Sequence, residues 1–408
     1  MKRCLVPRRP GWEARVEAEG MLWHTTGGVP YWNEGVAYHF STEDIDAIDE
    51  ATAACHRMAL EAVEAIITAK ELPSYGYDTD AIRLIEHSWQ TRERDIYGRI
   101  DFAYDGSAPP KMLEYNADTP TSLLEAAVVQ WSWLTDTHGP DATHQYNDLH
   151  TALVERMRAL KRDRDDGLLG ARQRSAPLHV SCVFPHDEDT GTVAYIESVA
   201  REAGIEVVFV PIDSIGFSPA DGGTFVDEAD QPIRLLFKLY PWDWLLADDY
   251  GPHLTDAVLK SRIRLFEPAW KMLMANKLLM VRMRKMNPDS PYLLDTARSD
   301  QPFRTANRPF VRKPTLGREG QNVDLFAPGA ATAIEHTDGN YADNTFIYQA
   351  FADLFRDEAS GTYALIGSWV IDGEPQGMGI RESDRAITDD RSRFVPHSFD
   401  PAPTSSSE

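Results

Sequence analysis

The stretch from Leu178 to Val210 limits the fold more than any other part of the chain. Leu178 to Phe184 is a short apolar run between Pro177 and Pro185. Thr192 to Ala203 has helical character and stops at Gly204, and Ile205 to Val210 is a second apolar run. A strand, a helix and a strand at this spacing make a βαβ unit, whose two strands lie parallel in one sheet. Ile233 to Leu239 and Phe310 to Arg312 are further strand-like runs, and Ala269 to Met286 is helical in composition. The expected class is α/β, with α+β lobes. The chain has 408 residues, whereas a domain commonly runs ~100–150, so two or three lobes are expected.

Ser41-Thr42-Glu43-Asp44 reads as a helix start, a hydroxyl cap followed by acids in the first turn. Behind it Ile45, Ile48, Cys55, Ala59, Ala62 and Ile66 form one apolar stripe, which Leu72-Pro73 is expected to end. Thr119-Pro120 is expected to open another helix, running to Trp131 and Leu134, with Thr as cap and Pro in the first turn. Lys161 to Arg174 is dense in charge, holds two glycines and reads as a loop or lobe boundary; Asp400 to Glu408 reads as a disordered tail. No apolar run approaches the ~20 residues that span a bilayer, and the basic start is not followed by the apolar stretch of a signal peptide. Cys4, Cys55 and Cys182 are widely separated, without metal spacing, so a reduced cytoplasm is the expected setting. A formal net charge of −23 argues against nucleic-acid or anionic-membrane partners and is compatible with a cationic substrate.

The chemistry concentrates in two regions. The first is Tyr97-Gly98-Arg99-Ile100-Asp101-Phe102-Ala103-Tyr104, a turn signal Asp105-Gly106, and Lys111-Met112-Leu113-Glu114-Tyr115-Asn116. Strand residues alternate faces. If the apolar faces meet the core, Arg99, Asp101, Glu114 and Asn116 converge on one side. Two carboxylates and an amide oxygen, without His or Cys, suit a hard cation such as Mg²⁺. An arginine beside them suits a phosphoryl group. The same alternation also describes the polar outer face of a two-stranded ribbon.

The second region is Phe310-Val311-Arg312-Lys313-Pro314-Thr315-Leu316-Gly317-Arg318-Glu319-Gly320, where a strand delivers Lys313 into a glycine-containing loop. Backbone N–H groups of such a loop can surround phosphate oxygens. It lacks the Gly-Lys-Ser/Thr ending of a Walker loop, and taken alone it also fits an ordinary turn. Lys277 lies on an apolar helix, where a lysine commonly snorkels to solvent. Phe346-Ile347-Tyr348-Gln349-Ala350-Phe351 is a short strand whose backbone could meet an adenine edge. Gly377 to Ser383 is glycine-rich without completing a dinucleotide fingerprint. No His-Glu-x-x-His, Cys-x-x-Cys or Gly-x-Ser-x-Gly pattern occurs, so zinc and serine hydrolases lack support.

Tyr97 to Asp101, Lys111 to Glu125 with its Glu114-Tyr115-Asn116-Ala117-Asp118 run, Val311 to Pro314, Ala275-Asn276-Lys277, Ile380 to Asp384 and Ser392 to His397 together resemble the synthetase part of the glutathionylspermidine synthase family. The resemblance implies an ATP-grasp, glutathione-synthetase-like fold. It divides the chain into an N-terminal helical segment with the metal hairpin (1–165), an α/β pre-ATP-grasp lobe (176–262), a nucleotide-binding lobe (263–397) and a tail (398–408). It implies ATP and Mg²⁺ as cofactors, with Asp101, Glu114 and Asn116 on the metal. Lys277, Lys313, Gly317, Glu319, Gly320, Gln349 and Arg381 would face nucleotide, Arg99 the acyl-phosphate, and Thr119, Glu188 and Asp189 the substrates. The implied activity is an ATP-dependent carboxylate–amine ligase working through an acyl-phosphate, with an acid such as glutathione and an amine such as spermidine. The family's bifunctional members add a cysteine amidase domain, for which this length is expected to leave no room. A kinase-like phosphotransferase and a non-catalytic nucleotide-binding protein are the alternatives.

Overall fold

In the computed structural model, which describes residues 1–342, 345–389 and 391–400, the βαβ unit forms as expected. Strands Leu178–Cys182 and Val207–Phe209 are parallel and joined through helix Asp187–Glu202. Leu235–Leu239 and Arg264–Phe266 extend the same parallel sheet on the other side. The helix begins five residues before the expected Thr192. His186 caps it, its Nδ1 accepting from the Asp189 backbone N–H at 3.3 Å. Asp187, Glu188 and Asp189 thus fill the first turn, where the helix dipole favours carboxylates.

The hairpin strands Tyr97–Ala103 and Lys111–Asn116 are part of a larger antiparallel sheet rather than a free ribbon. Tyr97–Ala103 pairs with Tyr363–Ile371, which pairs with Glu374–Ser383 and then Arg393–Val395. Strands expected in the first and third segments therefore share one sheet, and the glycine-rich Gly377–Ser383 run is strand. A second antiparallel sheet runs Thr296–Ala297, Phe346–Ala350, Phe310–Pro314, Asp324–Phe326, Glu335–His336.

Helix Thr42–Thr68 lies across the rear of the hairpin sheet. A capping box starts it: Ser41 Oγ accepts from Asp44 N at 3.2 Å and Asp44 Oδ2 from Ser41 N at 3.0 Å. Its buried stripe includes all six expected apolar positions, and Thr52 and His56 hydrogen-bond Ser368 (2.7 Å) and Tyr115 (2.8 Å) from behind. This fixes which hairpin face is core and leaves the polar face to the cleft.

Four boundaries differ from the sequence reading. The long helix stops at Thr68, and Pro73 sits in a separate 3₁₀ turn, Leu72–Tyr75. Thr119-Pro120 opens no helix: Ser122 has φ +68, which breaks helical continuity, and the helix starts at Leu123 with a π turn at Glu125–Val129. Helix Leu149–Asp165 runs through Lys161, whose Nζ lies 2.7 Å from Asp165 one turn on. Ser398 and Phe399, expected in the tail, form strand His397–Phe399 beside Val36–Phe40; residues 401–408 lie outside the described residues.

A buried ionic knot ties the hairpin to the parallel sheet. Glu267, just beyond Arg264–Phe266, accepts from the Ile96 and Tyr97 backbone N–H groups at 3.1 and 3.2 Å. Lys271 Nζ lies 2.8 Å from Glu267, 3.1 Å from Asp95 and 2.6 Å from the Tyr97 carbonyl. Burial pushes the Glu267 carboxyl up to about 7, with Lys271 opposing. Removing one member of such a knot strands an unpaired group, at ~3–5 kcal/mol. Lys271→Met should therefore lose ~3–5 kcal/mol in urea denaturation, and adding Glu267→Gln should recover part of it. Equal stability of Lys271→Met and wild type would show that the knot holds nothing.

Candidate functional site

The hairpin register sets Arg99 opposite Asn116 and Asp101 opposite Glu114, so the expected face forms. Arg99 grips Asp101 with two nitrogens, Nε to Oδ1 at 2.7 Å and Nη2 to Oδ2 at 3.1 Å. Its third nitrogen donates to the Thr121 carbonyl at 2.7 Å. Gly367 sits across from Asp101 on the neighbouring strand, and a Cβ there would lie 2.7 Å from Arg99 Cδ, so only glycine leaves the guanidinium room. Asn116 Nδ2 reaches Asp101 Oδ2 at 3.1 Å and Glu114 Oε1 at 3.4 Å. Among the described residues no group of three or more His, Cys, Asp or Glu side chains is set to hold a metal by itself. Two carboxylates and one amide fit a hard cation only if other oxygens complete its shell, and phosphates beside two lysines would do so.

Those lysines come from two other elements. The expected helix Ala269–Met286 is broken into Lys271–Ala275 and Leu278–Met286, because Asn276 is extended at ψ 117°. Asn276 Oδ1 accepts from Leu278 N at 3.0 Å and starts the second helix. The break turns Lys277 inward, toward Glu114 Oε2 at 3.0 Å and the Gly317 carbonyl at 2.7 Å. Lys313, on strand Phe310–Pro314, donates to Gln349 Oε1 at 2.9 Å and the Leu113 carbonyl at 3.2 Å. Burial alone would raise the Glu114 carboxyl, but Lys277 and then Lys313 override it and hold it at about 2. Burial lowers the Lys313 ammonium to about 8, opposed by Glu114 and reinforced by Lys277.

The loop after Pro314 covers this charge cluster. Glu319 and Gly320 have φ of +54° and +65°, and a Cβ on Gly320 would fall inside contact distance of the Thr388 carbonyl. Arg318 latches the loop to the parallel-sheet lobe, with Nη2 2.6 Å from Asp243 Oδ1, Nη1 3.3 Å from the Tyr341 hydroxyl, and its guanidinium over Trp244.

A cleft of about 280 Å³ joins these pieces, and its wall contains every expected site residue except Glu188. Asp189 lines it, and burial raises that carboxyl to about 6 with His186 opposing. Glu188 stands behind, beside Tyr31 and Glu125. Strand Phe346–Ala350 pairs along its whole length with Phe310–Pro314 and partly with Thr296–Ala297; its Gln349 and Ala350 line the cleft, followed by Phe351, Ala352 and Leu354 beyond its end.

Three features escaped the sequence reading. Lys238, fully buried, lies 2.5 Å from Asp118, which also accepts from the Trp242 backbone N–H at 2.9 Å; a lysine inside an apolar parallel strand was the available signal. Arg318 was inside the quoted loop, but nothing local showed its partner. Glu125 joins Trp23 and Tyr31 across about a hundred residues, with no local signal at all.

A family model described as glutathionylspermidine synthase preATP-grasp matches residues 3–400. A Haemophilus influenzae protein named as a candidate acid–amine ligase is 38% identical over 412 residues, covering 98% of this chain and 100% of its own. A trypanothione synthetase of Crithidia fasciculata is 28% identical over 333 residues, 74% of this chain and 47% of its own. A glutathionylspermidine synthase of the same organism is 24% identical over 442 residues, 91% of this chain and 59% of its own. The chain thus spans about half the length of these last two. Among solved structures, a glutathione synthetase-like effector from Globodera pallida, in its apo form, aligns with TM-score 0.56 at 10% identity, over 97% of this chain and 98% of that one. The fold is therefore of the glutathione-synthetase-like, ATP-grasp type.

If the latched loop is the cover of this cleft, Gly320→Ala should open it. Strain at a positive φ costs ~1–3 kcal/mol, enough to raise the open population ~5–150-fold. Limited proteolysis should cut near residues 317–320 correspondingly faster, with the melting temperature nearly unchanged. Cleavage at the wild-type rate would place the loop's stability elsewhere.

Proposed function

The chain belongs to the glutathionylspermidine synthase family, and from that premise we propose that it is an ATP-dependent acid–amine ligase, taking an acid such as glutathione and an amine such as spermidine. The observation that carries this reading is the facing of Asp101, Glu114 and Asn116 by Lys277 and Lys313 under a glycine loop. The acid's carboxylate oxygen attacks the terminal phosphorus of ATP, giving an acyl-phosphate and ADP. The amine nitrogen then attacks the acyl carbon, the C–O bond to phosphate breaks, and the amide forms. The protein supplies positioning and charge rather than a covalent partner.

Lys277 and Lys313 neutralise phosphate oxygens, and Gln349 fixes the Lys313 ammonium. Glu319 and the two glycines shape the cover. Arg99, held rigid by Asp101 and the Thr121 carbonyl, clamps the transferring group, and loss of such a clamp costs ~10²–10³ in rate. Mg²⁺, if held by Asp101, Glu114 and Asn116, would supply charge neutralisation at the phosphates. Thr119 lies on the acid side, and Glu188 and Asp189 offer carboxylates to an ammonium group.

Crossing candidate acids with candidate amines should give ADP release stoichiometric with amide. Phosphorylated acid accumulating without amide would indicate a phosphotransferase, and ATP binding without amine-dependent turnover a binding protein. Glu114→Gln or Asp101→Asn should abolish Mg²⁺-dependent ADP release while the circular dichroism spectrum stays native. Wild-type turnover in either would refute the ligand assignment.

Nucleotide affinity carries its own pH signature. The Lys313 ammonium is lost above about 8 in the empty cleft, so ATP should bind more weakly as pH rises through that value. Lys313→Arg keeps its charge and should remove this fall, while Lys313→Met should weaken binding ~10–100-fold at neutral pH, the loss of one charged hydrogen bond. Calorimetry showing a flat pH profile in the wild type would remove Lys313 from the phosphate site.

A further inference from the structure

Behind the cleft wall stands a buried charge pair that the proposed reaction does not use. Lys238 lies on Leu235–Leu239, an inner strand of the parallel sheet with a neighbour on each side, and its side chain is fully buried. Its ammonium reaches Asp118, Nζ to Oδ1 at 2.5 Å, and stands 5.1 Å from the centre of the Trp242 ring. Burial pulls that ammonium down from its ordinary value, and Asp118 opposes the shift. The second oxygen of Asp118, Oδ2, accepts from the Trp242 backbone N–H at 2.9 Å. Trp242 in turn donates from Nε1 to the Glu267 carbonyl at 2.9 Å, which joins the pair to the buried knot.

Two stretches of cleft wall meet at this pair. One is Asp118 to Thr121, whose four residues all line the cleft and which ends at the carbonyl that accepts from Arg99 Nη1 at 2.7 Å. This stretch lies outside helix and strand, between the hairpin strand that ends at Asn116 and the helix that starts at Leu123. Its place is therefore set by what its side chains hold. The other stretch is Leu239-Tyr240-Pro241, directly after Lys238, with Trp244 beyond, and these residues line the cleft as well. Lys238 itself is not in the wall.

Stability does not account for a lysine here. Strands of a parallel sheet are buried on both faces and are normally apolar, and replacing a buried ion pair by apolar residues is often neutral or stabilising. Registry does account for it. Two bonds converge on one carboxylate, one from the strand and one from the backbone that follows it, so Asp118 is fixed in both position and orientation. We propose that Lys238 is a positioning residue: through Asp118 it sets the 118–121 wall against the parallel sheet, and through the Thr121 carbonyl it aims Arg99. The proposal rests on the ligase reading above, in which Arg99 clamps the transferring group.

The test joins kinetics of full-length variants to their crystal structures. Lys238→Met should lower the kcat for amide formation ~10–100-fold, the cost of a clamp displaced by about an ångström. Its ATP dissociation constant should stay at the wild-type value, because Lys277 and Lys313 are untouched. In an Arg99→Met background the same substitution should cost nothing further, since effects that act through one group do not add. Lys238→Met combined with Asp118→Asn leaves no buried charge unpaired; it should regain the melting temperature that Lys238→Met loses and keep the low kcat. Its crystal structure should show Arg99 moved off the Thr121 carbonyl. Wild-type kcat in that double variant, rate losses that multiply with Arg99→Met, or Arg99 unmoved would each overturn the proposal. A double variant that does not fold would make the pair purely structural and overturn it too. A wild-type chain that forms no amide with any acid and amine loses the ligase reading, and the place of Arg99 in the variant's crystal structure still judges Lys238.

Discussion

Two ammonium groups and a guanidinium share one partly dry cleft, and burial disfavours each of them. Glu114 is what makes the arrangement possible. It pairs with Lys277, lowers the field felt by Lys313, and reaches Asp101 and Arg99 through the Asn116 amide. Each of these groups comes from a different part of the fold: a hairpin inside a six-stranded sheet, a broken helix, and a strand of a second sheet. The cluster therefore exists only when the pieces are docked, and the buried knot of Glu267, Lys271 and Asp95 at the hairpin's start is part of what docks them. The cleft is thus charged and preorganised, its wall carrying the cations Arg99, Lys277, Lys313, Arg318 and Arg381 and the carboxylates Asp101, Glu114, Asp118, Asp189 and Glu319.

From that core the surroundings divide by charge. On the lysine side the cover loop and Gln349 face inward, with polar groups and small residues that leave room. On the Arg99 side Arg381 lines the cleft, and Glu125 and Glu188 lie outside that lining. Arg99 stands at the junction, fixed by Asp101 on one edge and the Thr121 carbonyl on the other.

The sequence carried some of this and could not carry the rest. Alternation in Tyr97–Asn116 sufficed to put four polar side chains on one face, because a period of two survives without knowledge of neighbours. It could not show that the hairpin joins a larger sheet through Tyr97–Ala103, since the partner Tyr363–Ile371 lies more than 250 residues away. The apolar stripe behind Ser41 was legible for the same local reason. Thr119-Pro120 misled because a good cap and a good first-turn residue are only local preferences, and tertiary use of the Thr121 carbonyl by Arg99 outweighs them. Composition across Ala269–Met286 hid the break at Asn276, and with it the reason Lys277 points inward rather than to solvent. Arg318 with Asp243 and Glu125 with Tyr31 are contacts between distant segments, invisible to any window of sequence.

The central claim is that the acid is activated by phosphoryl transfer within this charge cluster. It is tested most directly by following oxygen. With an acid and amine pair that yields ADP, the acid's carboxylate is labelled with ¹⁸O and the released phosphate is analysed by mass spectrometry. The account predicts one labelled oxygen in each phosphate, carried over when the amine displaces it from the acyl carbon. Amide formed while the phosphate stays unlabelled would contradict it, because the carboxylate oxygen would then never have been bonded to phosphorus.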